Sequence, residues 1–323
     1  WNVGRVLDKL DALGAAENTI VVYFCDNGPN GDRWNGGMKG RKGSTDEGGV
    51  RSPLFVRWPG KIAANAKVKP IAGAIDLLPT LASLAGVAVS GTKPLDGSDL
   101  TPLLLQPEPA ELPERMLFSH WGGRVSVRTQ RFRLDSNGEL YDMVEDPGQL
   151  RPASATNENE AKRLRNAVSA WKRDVLSELR QDERRPFPVG GGVITQLPAR
   201  DAVAHGNLER SNKYPNCSYF TNWASLDDCL SFDVEVLAAG NYAVDLYYTC
   251  AEKNLGCELE LTCGSGTTSA KVTTSNDPPT RGAEHDRVAR QESYVKTFKP
   301  MPLGTLKLEK GEATMQLTAI QIP

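Results

Sequence analysis

Val3, Val6, Leu7, Leu10 and Leu13 recur every three or four residues, and Gly14 follows where a left-handed terminator belongs. This spacing predicts a helix over 1–13. Residues 19–25 and 53–57 are short apolar runs of the kind found in strands buried on both faces. A helix is expected over 76–85, with Asp76 as N-cap and Gly86 as terminator. Four short strand patterns follow at hairpin spacing, over 117–120, 124–128, 131–134 and 139–142, with Asn137-Gly138 as a turn signal. Ala161, Leu164, Val168, Trp171, Val175 and Leu179 then mark a helix over 158–181, with Asn157 and Glu160 spaced as a capping box. Beyond residue 200 the period changes to two, over 230–236, 242–247, 257–261, 306–308 and 313–317.

This change of period predicts the organisation. Residues 1–89 read as part of an α/β domain, and 90–183 as a small antiparallel sheet with one helix. Residues 184–200, with three prolines and a Gly190-Gly191-Gly192 run, read as a linker. Residues 201–323 read as an all-β sandwich. A length of 323 residues accommodates two or three such cores. The net charge of −2 gives no electrostatic case for nucleic acid or an anionic membrane, and no apolar run approaches the roughly 18 residues of a membrane span. Trp1 already lies within the helical pattern, so the chain reads as one whose beginning, including any signal peptide, lies upstream.

Cysteine usage adds a compartment. Cys25 stands alone in an apolar strand and reads as a small buried residue. Cys217, Cys229, Cys250, Cys257 and Cys263 cluster in the last third, which suggests disulfides and an exported protein, with an odd thiol left over. Zinc is disfavoured, because there is no CxxC pair and His120, His205 and His285 are scattered.

Two stretches carry candidate chemistry. Asp26-Asn27-Gly28-Pro29 leaves the first strand at its carboxyl end, where open α/β sheets bind ligands. It reads either as a tight turn or as two oxygen ligands, the Asp26 carboxylate and the Asn27 amide, for a hard cation such as Ca²⁺ or Mg²⁺. The glycine-rich 36–51 segment reads either as a solvated surface loop or as an anion cradle. In the second case backbone N–H groups and the Lys42 ammonium meet an oxyanion. Ser44 and Glu47 have capping-box spacing, so a short helix is expected near them. His120, beside Trp121, and Arg124, after Gly122-Gly123, read either as structural residues or as the lining of a substrate pocket. Tyr214, Tyr219, Phe220 and Trp223 are either sandwich core or a sugar-stacking surface.

The DNGP motif at 26–29, followed by Gly40-Arg41-Lys42-Gly43-Ser44-Thr45-Asp46-Glu47-Gly48-Gly49-Val50-Arg51-Ser52-Pro53 and Arg57-Trp58-Pro59-Gly60, resembles the type I, formylglycine-dependent sulfatases of the alkaline-phosphatase superfamily. The resemblance continues through Ile75-Asp76-Leu77-Leu78-Pro79-Thr80-Leu81 and, more weakly, through Val125-Ser126-Val127-Arg128 and Glu139-Leu140-Tyr141-Asp142 to Asp146-Pro147-Gly148. It covers roughly residues 1–180 and implies an α/β fold with part of an alkaline-phosphatase-like sheet. It also implies Asp26 and Asn27 on Ca²⁺, with Mg²⁺ second, and Lys42 on the sulfate. Glu47 and Arg51 are taken as loop-shaping. The formylglycine arises in a C/S-x-P-x-R motif, which this sequence lacks, so the nucleophile and the remaining metal ligands are expected upstream and the piece alone is expected to be inactive. After Asp146-Pro147-Gly148, Gln149-Leu150-Arg151-Pro152 stands where the family has an acidic residue and Asn-Leu, in a loop expected to lie away from the chemistry.

Residues 201–323 weakly resemble galactose-binding-type carbohydrate modules, notably over 230–248. The implied substrate is a sulfated small molecule or polysaccharide, and the implied location periplasmic or secreted. Two rivals remain open: a phosphonate or phosphodiester hydrolase of the same superfamily, and a non-catalytic carbohydrate-binding protein keeping a degenerate enzyme remnant.

Overall fold

In the computed structural model, which describes residues 1–91, 93–105, 112–179, 185–192 and 194–323, the chain divides into two compact units, Trp1–Arg180 and Gln181–Pro323. The expected boundary at 183/184 falls partly outside the described residues, as do parts of the 90–113 and 184–200 stretches.

The first unit begins with α1 (Asn2–Ala12), ended by Gly14 at φ +63°. Its Val3 and Val6 are exposed. β1 (Val21–Phe24) precedes the short α2 (Glu47–Val50) and β2 (Leu54–Arg57), and β1 and β2 pair antiparallel with Val21 opposite Arg57. Both strands were expected to be buried. They form a two-stranded ribbon instead, and Tyr23, Phe24, Leu54 and Phe55 are exposed because no third described strand joins it.

α3 (Leu77–Leu84) and α4 (Thr101–Leu105) follow. Asp76 does not cap α3 through its side chain. Its fully buried carboxylate accepts bidentate bonds from Arg115 at 2.7 and 3.0 Å and further bonds from the Gly73 and Ser98 amides. A paired charge with this many donors is satisfied inside the unit, and the cap position loses the competition.

β3 (Leu117–Trp121), β4 (Arg124–Arg128), β5 (Phe132–Leu134) and β6 (Leu140–Asp142) form an antiparallel meander in that order. α5 (Glu158–Val175) covers one face, and Val127, Leu134, Leu140, Ala161 and Leu164 make the core between them. Phe118 stacks on Trp171 with centroids 5.3 Å apart. α5 ends before the predicted 181, where Leu176–Glu178 tightens into a 3₁₀ turn. Its capping box is not made, because the Asn157 amide donates to Ala153 O and Glu160 takes Arg163 at 2.7 Å.

The second unit contains β7 (Phe187–Val189), β8 (Val203–His205), β9 (Glu209–Arg210), β10 (Phe220–Thr221), β11 (Cys229–Val236), β12 (Gly240–Tyr248), β13 (Glu258–Cys263), β14 (Gly266–Lys271), β15 (Lys299–Leu308) and β16 (Gly311–Gln321). One sheet has the order β14-β13-β16-β11-β7, with β8 also on β11, and β12 pairs with β15. Val234, Val236, Leu303, Leu306, Leu308 and Leu317 lie in the single core of this unit, as period-two alternation requires. β7 falls in the stretch read as a linker. It is a strand because Val189 is buried and Phe187 meets Phe232 edge-on at 5.9 Å, while its backbone runs parallel to β11. All six cysteines are free thiols, so the expected disulfides are not formed here. No helix among the described residues is long and apolar enough to cross a membrane.

The buried Asp228 carboxylate organises the entry to β11. It accepts from the backbone N–H groups of Asn207, Ala224 and Ser225 at 2.6–2.9 Å and from the Asn207 side chain. The Asn207 amide bond is the main cause holding its pKa below the ordinary carboxylate value; the Ala224 and Ser225 amides add to it and burial opposes it. A depressed carboxylate stabilises the fold above the unfolded pKa of about 3.9, and that contribution disappears as pH falls through the folded value. Asp228→Asn should therefore lower Tm at pH 7, and the gap from wild type should narrow as pH falls below about 3.9 toward the lower folded value, where Asp228 itself becomes protonated. A gap independent of pH, measured by thermal scans from pH 7 to 3, contradicts this.

Candidate functional site

The two candidate stretches meet through their backbones. Gly28 N donates to Gly49 O at 2.8 Å, and Lys42 N donates to Pro29 O at 2.9 Å. A methyl group at Gly28 would collide with the Gly48 carbonyl, so glycine is required for this approach. Gly48 is just as confined, against the Gly40 and Lys39 carbonyls. Gly48 and Gly49 thus serve backbone-to-backbone packing, whereas Gly36, Gly37 and Gly43 are uncrowded and stand at left-handed φ.

Lys42 sits in a β-turn closed by Ser44 N on Arg41 O at 2.9 Å, with Gly43 at φ +86°, the left-handed position a type II turn demands. Its side chain is exposed, as is Asp26, while Asn27 is half-buried. Three polar side chains consequently emerge from two hydrogen-bonded loops at the carboxyl end of β1.

Beneath the loop lies a polar network. Glu47, 5% exposed, accepts from Arg133 Nε at 3.0 Å and Nη2 at 2.7 Å. Arg128 and Arg51 stand 3.7 and 3.6 Å from the same carboxylate. Burial pulls the Arg128 guanidinium down to about 10, with Arg133 and Arg51 adding to the shift and Glu47 opposing it, which leaves it cationic at neutral pH. Arg133 also donates to Thr45 O, and the Ser126 hydroxyl does so at 2.6 Å. Gln149, fully buried, accepts from Glu47 N at 2.8 Å and donates to Asp46 at 2.7 Å. The Lys39 ammonium bonds Asp135 at 2.8 Å and the Tyr141 hydroxyl at 2.9 Å. Burial opposes its charge, yet the bonds to Asp135 and Tyr141 and the charges of Asp46 and Asp135 prevail and hold its pKa above the usual lysine value.

Sequence reasoning missed Lys39, Arg133 and Gln149. Lys39 lay in the same basic loop as Lys42, and only its distant partners distinguish it. Gln149 lay in a loop set aside as remote from chemistry; it proves to fasten the turn that starts α2. Glu47 begins that helix, but Asp46 is the N-cap, and the Glu47 carboxylate turns to Arg133 instead of completing a box with Ser44.

Arg124 and His120 part company. Arg124 Nη2 donates to Gly43 O at 2.7 Å, directly beside Lys42, and Trp121 lies near Gly43 as well. His120 is on the other face of β3, its ring 6.2 Å from Trp171 of α5. Alternation along the strand separates them.

The donor set at 26–27 suits a hard cation in kind, a carboxylate and an amide oxygen, but two donors are a fraction of the six to eight that Ca²⁺ takes. Among the described residues no group of three or more His, Cys, Asp or Glu could hold a metal ion. Asp26 and Asn27 can therefore contribute to a shell without completing one.

Residues 1–87 match the family model described as Sulfatase. These residues thus carry a sulfatase family-model domain. Similar curated proteins include a steryl-sulfatase of Mus musculus, 43% identical over 265 residues, which covers 64% of this chain and 42% of that protein. An arylsulfatase A of Homo sapiens is 33% identical over 210 residues, with 61% and 38% covered. An N-acetylgalactosamine-6-sulfatase of Mus musculus is 34% identical over 134 residues, with 40% and 25% covered. The chain thus spans less than half the length of these sulfatases.

The buried pair beneath the sulfatase loop generates a stability prediction. Arg133→Met leaves the Glu47 carboxylate buried without the guanidinium that gives Oε2 two hydrogen bonds and should cost about 3–5 kcal/mol. Denaturant unfolding should register that loss, and limited proteolysis should find new cleavage within 36–51. Arg133→Met with Glu47→Leu should be less destabilised than the sum of the single variants; simple additivity would show that the two charges do not depend on each other.

Proposed function

We propose that this chain is the part of a calcium-dependent sulfatase that supplies Asp26 and Asn27 to the metal and Lys42 to the sulfate, in a whole protein that hydrolyses sulfate esters of carbohydrates. One observation carries the reading: the backbone bonds Gly28–Gly49 and Lys42–Pro29 tie the acid–amide pair and the lysine turn into one surface. When bound, Ca²⁺ would draw electron density from sulfate oxygens. Lys42 extends from a turn fixed at both ends, so its ammonium offsets charge on the same oxygens with little reorganisation. Arg124, anchored on Gly43 O, holds that turn and adds a cation beside it. The formylglycine nucleophile is no residue of this chain, since no Cys or Ser here is followed by Pro two places and Arg four places later.

The carbohydrate part of the proposal draws on the N-acetylgalactosamine-6-sulfatase among the relatives and on the second unit. That unit has a polar cleft of about 320 Å³ lined by Asn212, Tyr219, Thr280, Arg290, Ser293 and Tyr294, hydroxyls and amides beside aromatic faces. Phe220 and Trp223 pack against the core and are unavailable for stacking. A secreted or periplasmic location accords with such a substrate.

Lys42→Ala in the full-length protein should lower kcat/KM on a sulfate ester by about 10²-fold or more, with Tm unchanged. Activity within a few-fold of wild type would remove Lys42 from the mechanism, and preference for a phosphodiester over the matching sulfate ester would favour the phosphoryl-transfer rival. Tyr219→Ala should abolish retardation in affinity gels containing sulfated polysaccharide while leaving turnover of a small aryl sulfate intact. Unchanged retardation would reject the cleft as the binding surface.

A further inference from the structure

Two of the free thiols in the second unit face each other. Cys250 lies just beyond β12 and Cys257 just before β13. Between them the chain reverses through a 3₁₀ turn at Glu252–Asn254, closed by Asn254 N on Ala251 O at 2.9 Å and Leu255 N on Glu252 O at 3.1 Å. Both ends of this turn are fastened to one segment of backbone. Cys250 exchanges hydrogen bonds with Asn276 at 2.8 and 2.9 Å, and Cys257 O accepts from Val272 N at 2.9 Å. The Cys250 thiol donates to Ala251 O at 3.4 Å, the Cys257 thiol lies close enough to interact with it, and both side chains pack half-buried against the sandwich core. The other cysteines of this unit have different surroundings. Cys217 is exposed at a left-handed backbone position, Cys263 is buried in the sheet opposite Met315 and Gly266, and Cys229 sits opposite Thr318.

We propose that Cys250 and Cys257 are an oxidisable pair that closes into an intramolecular disulfide across the 252–254 turn. The oxidant is a disulfide, either a small-molecule one or that of a disulfide oxidoreductase. One protein thiolate attacks an oxidant sulfur, forms a mixed disulfide and expels the first oxidant thiolate. The second protein thiolate then attacks the protein sulfur of that mixed disulfide and expels the other oxidant thiolate. Two protein S–H bonds are lost, two protons leave, and the oxidant ends as two thiols. Burial raises the pKa of both thiols, so the exchange quickens as pH rises. Nothing in this pairing depends on the sulfatase reading of the first unit.

The test is thiol mapping of the native full chain after incubation with oxidised glutathione at pH 8.5, against a dithiothreitol control. Free thiols are alkylated, and the digest is read by mass spectrometry without reduction. The expected product is a peptide joining Cys250 to Cys257, about 2 Da lighter than the sum of its thiol forms, with four alkylatable thiols left of the six in the sequence. Cys250→Ala should leave Cys257 as a thiol or a glutathione mixed disulfide, with no new internal link. If that variant fails to fold, the wild-type map alone decides. Full alkylation of both cysteines after oxidation, or a link from either to Cys217, Cys229 or Cys263, overturns the proposal.

Discussion

The buried ion pair between Glu47 and Arg133 is the constraint on which the first unit turns. Glu47 opens α2 at the end of the glycine-rich loop, and Arg133 belongs to β5 of the meander, 86 residues later. A carboxylate this well buried requires a geometrically matched cation, and the guanidinium supplies two donors in one plane. The pair fixes where the loop lies against the sheet. Gln149 and Lys39 then fasten either side of it, through Asp46 and through Asp135. None of these groups points toward substrate in the proposed chemistry. Their effect is to remove freedom from a loop whose composition alone suggests mobility.

A fixed loop is what electrostatic catalysis needs. Lysine is a flexible point charge, and its contribution to a developing anion depends on how little it must rearrange. Here the turn carrying Lys42 is held by Pro29 on one side and by Arg124, through Gly43, on the other. Gly48 and Gly49 permit close backbone contact, and the meander provides anchorage. The sheet of the 90–183 stretch is therefore part of the construction of the proposed site even though its histidine looks the other way.

Legibility in the sequence followed the range of the interactions. α1, α5 and the alternating strands of the second unit were readable because periodicity is local and tertiary contacts reinforce it. The DNGP turn and the Lys42 loop were readable from motif and residue type. Arg133, Lys39 and Gln149 were not, since each is an ordinary polar residue whose partner lies about a hundred positions away. Asp76 and Asn157 were read as caps by the same local logic, and in both cases a more distant or differently aimed partner won. β7 hid within a proline- and glycine-rich stretch because only its neighbour β11 makes it a strand. β1 and β2 had the composition of buried strands, yet their aromatic residues lie exposed on a ribbon of two.

The central claim is spatial: Asp26, Asn27 and Lys42 serve one metal-bound oxyanion. A crystal structure of the full-length protein grown with calcium and an unreactive sulfate-ester analogue tests it most directly. The account predicts Asp26 and Asn27 oxygens about 2.3–2.6 Å from the ion and the Lys42 ammonium within about 3 Å of a sulfate oxygen. Calcium bound without Asp26 and Asn27, or an ordered analogue with Lys42 directed into solvent, contradicts it.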